Sequence, residues 1–482
     1  MFDLRPVGYV IGLLVAFLGL TMLAPLLVDF FDGDPHWHVF LESAIVTTLL
    51  GGLIAIACMN GVRQGLTIQQ TFLLTTGVWL ALPLFGAVPF LLGETDARLV
   101  DAVFEAMSGL TTTGSTVFSD LEELPRGLLL WRGLMQWFGG IGIIVVAMVF
   151  LPELRVGGMQ IFKSESFDTF GKILPRATEI SSRISVIYIA LTASCALAYF
   201  LFGMNSFDAI VHAMTTVATG GFANYDTSFA GFPPGVEYVA VIFMMLAALP
   251  FVRFVQLVGG SAKPLLRDSQ IRGFFGTAFV ITIVLTLWLW MRQDAIGEES
   301  FRKVIFNVTS ILTGTGYASQ NYMLWGSFAV AMFFFIGLIG GCAGSTSCSI
   351  KIFRYQLFFA SVKAQIQKTH SPNGIFTPRY QGRAVGEDVL SSVMSFFVFF
   401  VVTLGVISVL LGLTGQNFIT SVSGAAAALA NIGPGLGSKI GPAGNFAGLN
   451  DAAKWILIAA MLIGRLELMA VYVLFTIRFW KN

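Results

Sequence analysis

Long apolar runs alternate along this chain with short stretches of small and hydroxylated residues. The runs at 9–28, 39–59, 72–92 and 128–151, the last interrupted by Arg132, each reach the roughly 20 largely apolar residues needed to cross a hydrocarbon core. Two helices are predicted first, near 8–28 and 38–60, joined by a polar turn holding Asp29, Asp32, Asp34, Pro35 and His36. A pattern of long helix, short broken segment and long helix then recurs four times. The copies are expected at 70–92, 101–114 and 125–151; at 183–203, 206–220 and 236–258; at 273–291, 300–315 and 325–341, with a Gly-rich break following; and at 389–412, 417–432 and 453–477. The corresponding domain limits are 1–66 for the N-terminal helix pair and 67–180, 181–270, 271–385 and 386–482 for the repeats.

The short segments read as one device used four times. Residues 105–114 are EAMSGLTTTG, 212–221 are HAMTTVATGG, 307–316 are NVTSILTGTG, and 424–433 are GAAAALANIG, the most divergent copy. Each starts as a small-residue helix and ends in Thr, Ala, Asn and Gly, with glycines 114, 221, 316 and 433 about one hundred residues apart, the mark of internal repetition. In the second copy Gly220 and Gly221 are adjacent and both registers are open; Gly221 matches the length of the first copy. About ten helical residues span only about 15 Å, so these segments enter the membrane and return. Non-helical backbone at that depth is tolerated where it is buried in protein or lines a watery cavity. Rings of backbone oxygens replace the hydration shell of an alkali cation, and the negative helix C-termini favour positive charge.

Composition and charge sharpen this reading. The chain has 482 residues, 56% hydrophobic and 11% charged, against about 25% charged in soluble domains, which excludes an ordinary soluble enzyme. The first apolar run is too long for a signal-peptide core and lacks a small-residue cleavage site, so a retained span is expected. Cys58, Cys195, Cys342 and Cys348 lie in apolar or Gly-rich context and call for neither a disulfide framework nor a metal site. With the N-terminus inside, the inner segments hold Arg63, Arg155, Lys163, Lys172, Arg176, Arg183, Lys263, Arg267, Arg272, Lys351, Arg354, Lys363, Lys368, Arg379, Arg383, Arg478 and Lys481. The outer connections hold mainly Arg98, Arg126, Arg292, Arg302, Lys303, Lys439 and Lys454, together with much of the acid. This is the positive-inside bias, and it places all four short segments on the outer side.

Taken together and in order, these segments resemble the superfamily of potassium transporters related to potassium channels, and most closely the bacterial Trk-type uptake subunit. The resemblance spans essentially the whole chain. It rests on Thr112-Thr113-Gly114, Ala218-Thr219-Gly220-Gly221-Phe222, Thr315-Gly316-Tyr317 and Asn431-Ile432-Gly433-Pro434-Gly435-Leu436-Gly437. It rests also on Leu154-Arg155-Val156-Gly157-Gly158-Met159-Gln160, Gly340-Gly341-Cys342-Ala343-Gly344-Ser345-Thr346 and Gly464-Arg465-Leu466-Glu467. The extra N-terminal helix pair resembles the Trk branch, not the related Ktr branch. The resemblance implies an all-α membrane protein of the bacterial inner membrane, with four helix–pore loop–helix repeats in pseudo-fourfold array around one pore, plus two extra N-terminal transmembrane helices. It also implies a potassium filter at Thr112, Thr113, Gly114, Thr219, Gly220, Gly221, Thr315, Gly316, Asn431, Ile432 and Gly433, a homodimer with one pore per subunit, and gating by a cytosolic nucleotide-binding ring. In the fourth loop Asn431 stands where a hydroxyl residue is expected and Pro434 stiffens the exit. Four unlike walls make cation permeability a more direct expectation than strict potassium selectivity.

Two features inward of the loops suggest a gate. The cluster holding Gly340, Gly341, Gly344 and Ser345 breaks a membrane helix. Small residues there permit close helix packing, while its position beneath the third loop, and the resemblance, point to a segment that blocks the path. Arg465 lies inside an apolar run, where a charge is costly and usually faces a bundle interior or cavity. A pair with Glu467 is disfavoured because residues two apart do not face each other on a helix. Arg132 and Gln136 are expected to cap or pair near the outer end of their helix, and Glu105 and His212, at matching repeat positions, to brace the pore helices. The sites 153–179 and 351–386 offer basic inner surface to anionic lipid or, by the resemblance, to the regulatory ring, with Lys163, Arg176 and Arg354 as docking residues. No Walker-type sequence, catalytic metal spacing or clustered nucleophile is found, so K+ is expected as cargo, with no organic cofactor, no enzymatic activity and no nucleic-acid partner. A proton- or sodium-coupled symporter working by alternating access is the other reading; it calls for inverted repeats, whereas these share one orientation.

Overall fold

The computed structural model describes residues 3–61, 66–93, 95–146, 177–293 and 297–481. Among them, seven helices are long and apolar enough to cross a membrane: Arg5–Asp32, Trp37–Cys58, Ile68–Leu92, Arg126–Val145, Ser181–Leu201, Ser269–Arg292 and Glu387–Leu413. Two further spans are broken. Pro234–Ala247 turns by 91° into Phe251–Val258, and Asp451–Arg465 turns by 105° into Met469–Phe475. These breaks correct the expectation of continuous helices at 236–258 and 453–477. Pro250 accounts for the first, since it supplies no N–H and drives the residue before it out of helical backbone. At the second, Glu467 and Leu468 take positive φ of 62° and 42°. In the third repeat the second helix stops early, at Ser327–Gly337, and the chain resumes as Ile352–His370 after the Gly-rich segment.

The four short helices are Leu99–Leu110, Ser206–Val217, Glu298–Thr313 and Phe418–Ala430. Side-chain caps start two of them: Asn205 Oδ1 accepts from Asp208 N at 2.9 Å and Asn417 Oδ1 from Thr420 N at 2.8 Å, each satisfying an orphan donor of the first turn. Their inner ends are almost entirely buried. The long helices surround them and expose Leu, Ile, Phe and Val outward, as at Phe17, Leu49, Phe279 and Val401. An apolar exterior around a polar, small-residue centre suits a chain whose surrounding medium is lipid.

The N-terminal pair packs on itself through glycines. A Cβ on Gly12, Gly19 or Gly51 would press on the backbone of the facing helix, so the two helices approach more closely than larger residues allow. The pair also reaches the first repeat. Buried Asp29 accepts from Gly127 N at 2.5 Å, at the start of Arg126–Val145, and its other oxygen lies 3.1 Å from His36 Nδ1.

Candidate ion pathway

Three of the short helices end in the same turn, and the third ends in a variant of it in which Gly314 N donates to Ile311 O at 3.1 Å and Gly316 N, one residue later than in the others, to Ser310 O at 3.2 Å. In the first, Thr112 N donates to Gly109 O and Thr113 N to Ser108 O, at 3.0 and 2.8 Å. The second repeats this with Thr219 and Gly220 on Thr216 and Thr215, and the fourth with Asn431 and Ile432 on Ala428 and Ala427. These are Schellman closures, whose left-handed residue is ordinarily Gly. Here it is Thr112 (φ 53°), Thr219 (51°) and Asn431 (51°), with Gly314 (80°) in the third loop. A β-branched residue at positive φ is strained, and such strain, about 1–3 kcal/mol per residue, persists only where the surroundings over-determine it.

Two residues further on, Gly114, Gly221 and Gly316 are again left-handed, at 86°, 78° and 86°. This aligns Gly221, not Gly220, with the glycines of the first and third loops. Gly433 lacks a positive φ, and Pro434 gives the reason, since the residue before proline is driven toward extended backbone. The loops also touch in a closed order. A Cβ on Gly114 would collide with the carbonyl of Gly220, and one on Gly221 with that of Thr315. A Cβ on Gly316 would lie 2.8 Å from Gly433 N, and one on Gly433 would lie 2.9 Å from Gly114 O. First meets second, second meets third, third meets fourth, and fourth meets first. On one face of this ring lies a cavity of about 360 Å³ lined by residues of all four repeats, including Ser115, Tyr225, Gly316 and Lys439.

A second set of bonds braces every loop from its own helix. Glu105 accepts from Val117 N at 3.0 Å, His212 Nε2 from Asn224 N at 3.4 Å, and Asn307 from Ser319 N at 3.3 Å. In the fourth repeat Ser423 Oγ accepts from Leu436 N at 2.9 Å. His212 Nδ1 also lies 2.9 Å from Asp208 O, so a neutral ring protonated at Nδ1 satisfies both contacts. Cross-bonds add to this: Ser115 Oγ donates to Gly433 O at 2.7 Å, and Asn431 Nδ2 to Thr113 Oγ1 at 3.0 Å and Met461 O at 2.9 Å.

Arg132 and Gln136 do more than cap a helix end. Buried Arg132 pairs with buried Glu105 at 2.8 Å, donates to Ala223 O at 2.9 Å and stacks over Phe222 at 4.2 Å. Gln136 donates to Gly220 O at 2.7 Å and accepts from Phe222 N at 3.0 Å. A buried Arg in an apolar helix signals a partner, but Glu105 and Ala223 lie in other segments, so sequence proximity offered no pointer.

On the side of the ring away from that cavity sits the segment 338–351, almost wholly buried. It is held by the first broken helix: Cys342 N donates to Ala248 O at 3.0 Å, Thr346 Oγ1 to Ala247 O at 3.0 Å, and Phe251 N to Gly344 O at 3.0 Å. Gly340 N donates to Ile350 O at 2.8 Å, Gly341 N to Ser347 Oγ at 2.9 Å, and Ser345 Oγ to Cys342 O at 2.6 Å, closing the segment on itself. Its Cys348 sulfur lies 3.7 Å from Thr112 Oγ1 and also takes a contact from Arg465 Nη1. Arg465 donates through Nη2 to Gly139 O at 3.1 Å. Arg465 thus ends its half-helix at the break, against the segment; Glu467 pairs with Arg354 instead. The apolar context of Cys348 gave no sign of this central position.

Arg354 is fully buried and lies 3.8 Å from the Phe396 ring, which corrects the expectation that it belongs to an exposed basic surface. The exposed basic residues of that region are Lys363, Lys368, Arg379 and Arg383. Lys163, Arg176, most of the stretch 153–179 and the motif at 154–160 fall outside the described residues.

With this geometry in view, comparison with known proteins is decisive. The profile of the TrkH family, described as cation transport protein, matches residues 36–481. The chain belongs to the TrkH family. The Trk system potassium uptake protein TrkI of Halomonas elongata is 42% identical over 479 residues, covering 99% of this chain and 97% of that protein. The TrkH of Escherichia coli K12, also called a Trk system potassium uptake protein, is 35% identical over 490 residues, with 99% of each chain covered. The crystal structure of the potassium transporter TrkH from Vibrio parahaemolyticus superposes with a TM-score of 0.90 at 31% identity, covering 99% of this chain and all of that one. The expected four-repeat membrane architecture with an additional N-terminal pair agrees with that likeness, and the chain is a transporter-family protein, not an enzyme.

Proposed function

We propose that the protein is a potassium uptake pathway of the bacterial inner membrane, with the ring of loops at 112–114, 219–221, 315–316 and 431–433 as its filter and K+ as its cargo. The observation that carries this reading is the closed order of contacts among four loops that all leave their helices through a left-handed residue. The names of the relatives, as potassium uptake proteins, support potassium as the ion. A hydrated cation gathers in the outer cavity and exchanges water for backbone oxygens as it enters the ring. Strained turns locked by hydrogen bonds to Glu105, His212, Asn307 and Ser423 hold the oxygens in place, so little reorganisation accompanies binding.

The segment at 338–351 serves as the gate in this reading. Cys348 and Arg465 stand beneath Thr112, and the positive charge opposes a cation there. Gly340, Gly341, Gly344 and Ser345 let the segment fold back on itself and also let it move. Helix Ile352–His370 follows the gate and presents exposed Phe359 and Ile366 beside Lys363 and Lys368. Such a mixed surface suits a protein partner, here a second subunit of a homodimer or a cytosolic nucleotide-binding ring, with membrane lipid at its edge.

The test is flux through the reconstituted protein under potassium, rubidium and sodium gradients at controlled voltage. Current reversing at the potassium equilibrium potential is expected. A reversal that also follows the proton gradient would replace this reading with a coupled symporter.

A further inference from the structure

One helix, Arg126–Val145, holds two loops at once. Arg132 and Gln136 are four residues apart and share a face. Arg132 binds Glu105 and Thr116 of the first repeat and Ala223 O of the second, while Gln136 grips the second loop at Gly220 O and Phe222 N. The Gln136 side chain also fills the space at Gly220, where a Cβ would overlap its amide. The loops have own-helix braces in common, but this two-point amide grip comes to the second loop from a neighbouring repeat. Of the four equivalent positions Thr113, Gly220, Thr315 and Ile432, the Gly220 carbonyl is the one with a described side-chain hydrogen bond.

We propose that Gln136 is a specificity-determining positioning residue: it sets the Gly220 carbonyl and the spacing between the first and second loops, and so the discrimination between potassium and the smaller sodium ion. The proposal rests on the reading of this ring as the filter. Gln136 need not touch the ion. A primary amide suits the task because it donates to a carbonyl and accepts from an N–H two residues on at the same time. Both bonds are buried, so losing either leaves a backbone group unsatisfied, and the loop relaxes to repair it. A carbonyl that moves with the loop no longer holds the cage size that separates the two ions.

The test uses the full chain in proteoliposomes, with Gln136→Leu and Gln136→Glu compared with wild type. Gln69→Leu serves as control, removing a side-chain bond to Phe479 O far along the chain. Readouts are the potassium-to-sodium flux ratio, absolute potassium flux and the thermal midpoint. Gln136→Leu is expected to lower the ratio about tenfold, the equivalent of one to two buried hydrogen bonds. Gln136→Glu, which keeps the acceptor for Phe222 N but not the donor for Gly220 O, is expected to lower it by less. Gln69→Leu leaves the ratio unchanged. A ratio unaltered in Gln136→Leu, with flux of all ions scaled down together, would overturn the proposal and leave Gln136 a structural residue. Should Gln136→Leu not assemble, an unaltered ratio in Gln136→Glu overturns it equally. Wild type that does not discriminate between the ions would fail the filter reading itself, a result separate from any effect of Gln136.

Discussion

Adding one methyl group at Gly221 tests whether the ring is as tight as it appears. Gly221 has φ 78°, and its Cβ would sit well inside van der Waals contact with the Thr315 carbonyl of the next loop. Ala in left-handed backbone costs about 1–2 kcal/mol, and overpacking against backbone that cannot swing aside costs about 1–3 kcal/mol more. The sum, about 2–5 kcal/mol, drives the second and third loops apart. Since about 1.4 kcal/mol is a factor of ten in an equilibrium, the conducting arrangement loses at least that factor. Gly415→Ala is the matched control: its φ is 85°, but nothing lies within 4 Å of a Cβ there. It carries the backbone strain alone, away from the loops. Potassium flux per reconstituted molecule is therefore expected to fall at least about tenfold in Gly221→Ala and to stay near wild type in Gly415→Ala. Full flux with unchanged ion preference in Gly221→Ala would refute the closed ring.

Other outcomes follow from the same geometry. Arg465→Ala removes the charge beneath Thr112 and is expected to raise potassium flux several-fold without any regulator; unchanged flux at normal membrane content would defeat the gating role. Arg132→Leu leaves Glu105 buried without its ion partner and should cost about 3–5 kcal/mol of stability, seen as a lower thermal midpoint, whereas Glu105→Gln with Arg132→Met should recover much of it. In a variant lacking Cys58, Cys195 and Cys342, a membrane-impermeant thiol reagent applied from the inner side should label Cys348 slowly in the closed protein and faster in Arg465→Ala. Equal rates would argue that the segment at 338–351 stays in place.

The four-fold repetition was legible because each copy combines two signals, a long apolar stretch and a short Thr/Gly ending. Orientation is an expectation drawn from the charge asymmetry between the connecting segments. The pore-helix braces were half visible: Glu105 and His212 occupy matching positions, as does Asn307, but Ser423 takes the role from one residue earlier in the fourth copy. What stayed hidden depends on contacts between distant segments. Arg132 meets Glu105 and Ala223, Arg354 meets Glu467, and Arg465 meets Gly139 and Cys348; each charged group is readable as costly in lipid, yet its partner is chosen by the fold. Likewise Pro250 lies inside the helix expected at 236–258 and is passed over there, while the turn at Glu467 and Leu468 has no Gly or Pro to mark it.

A structure determined in thallium or rubidium tests the central claim most directly. Anomalous density should fall on the line where the first, second, third and fourth loops meet, within coordination distance of their backbone oxygens and outward of Cys348 and Arg465. Ion density elsewhere in the molecule, with that ring unoccupied in a conducting preparation, would contradict the account.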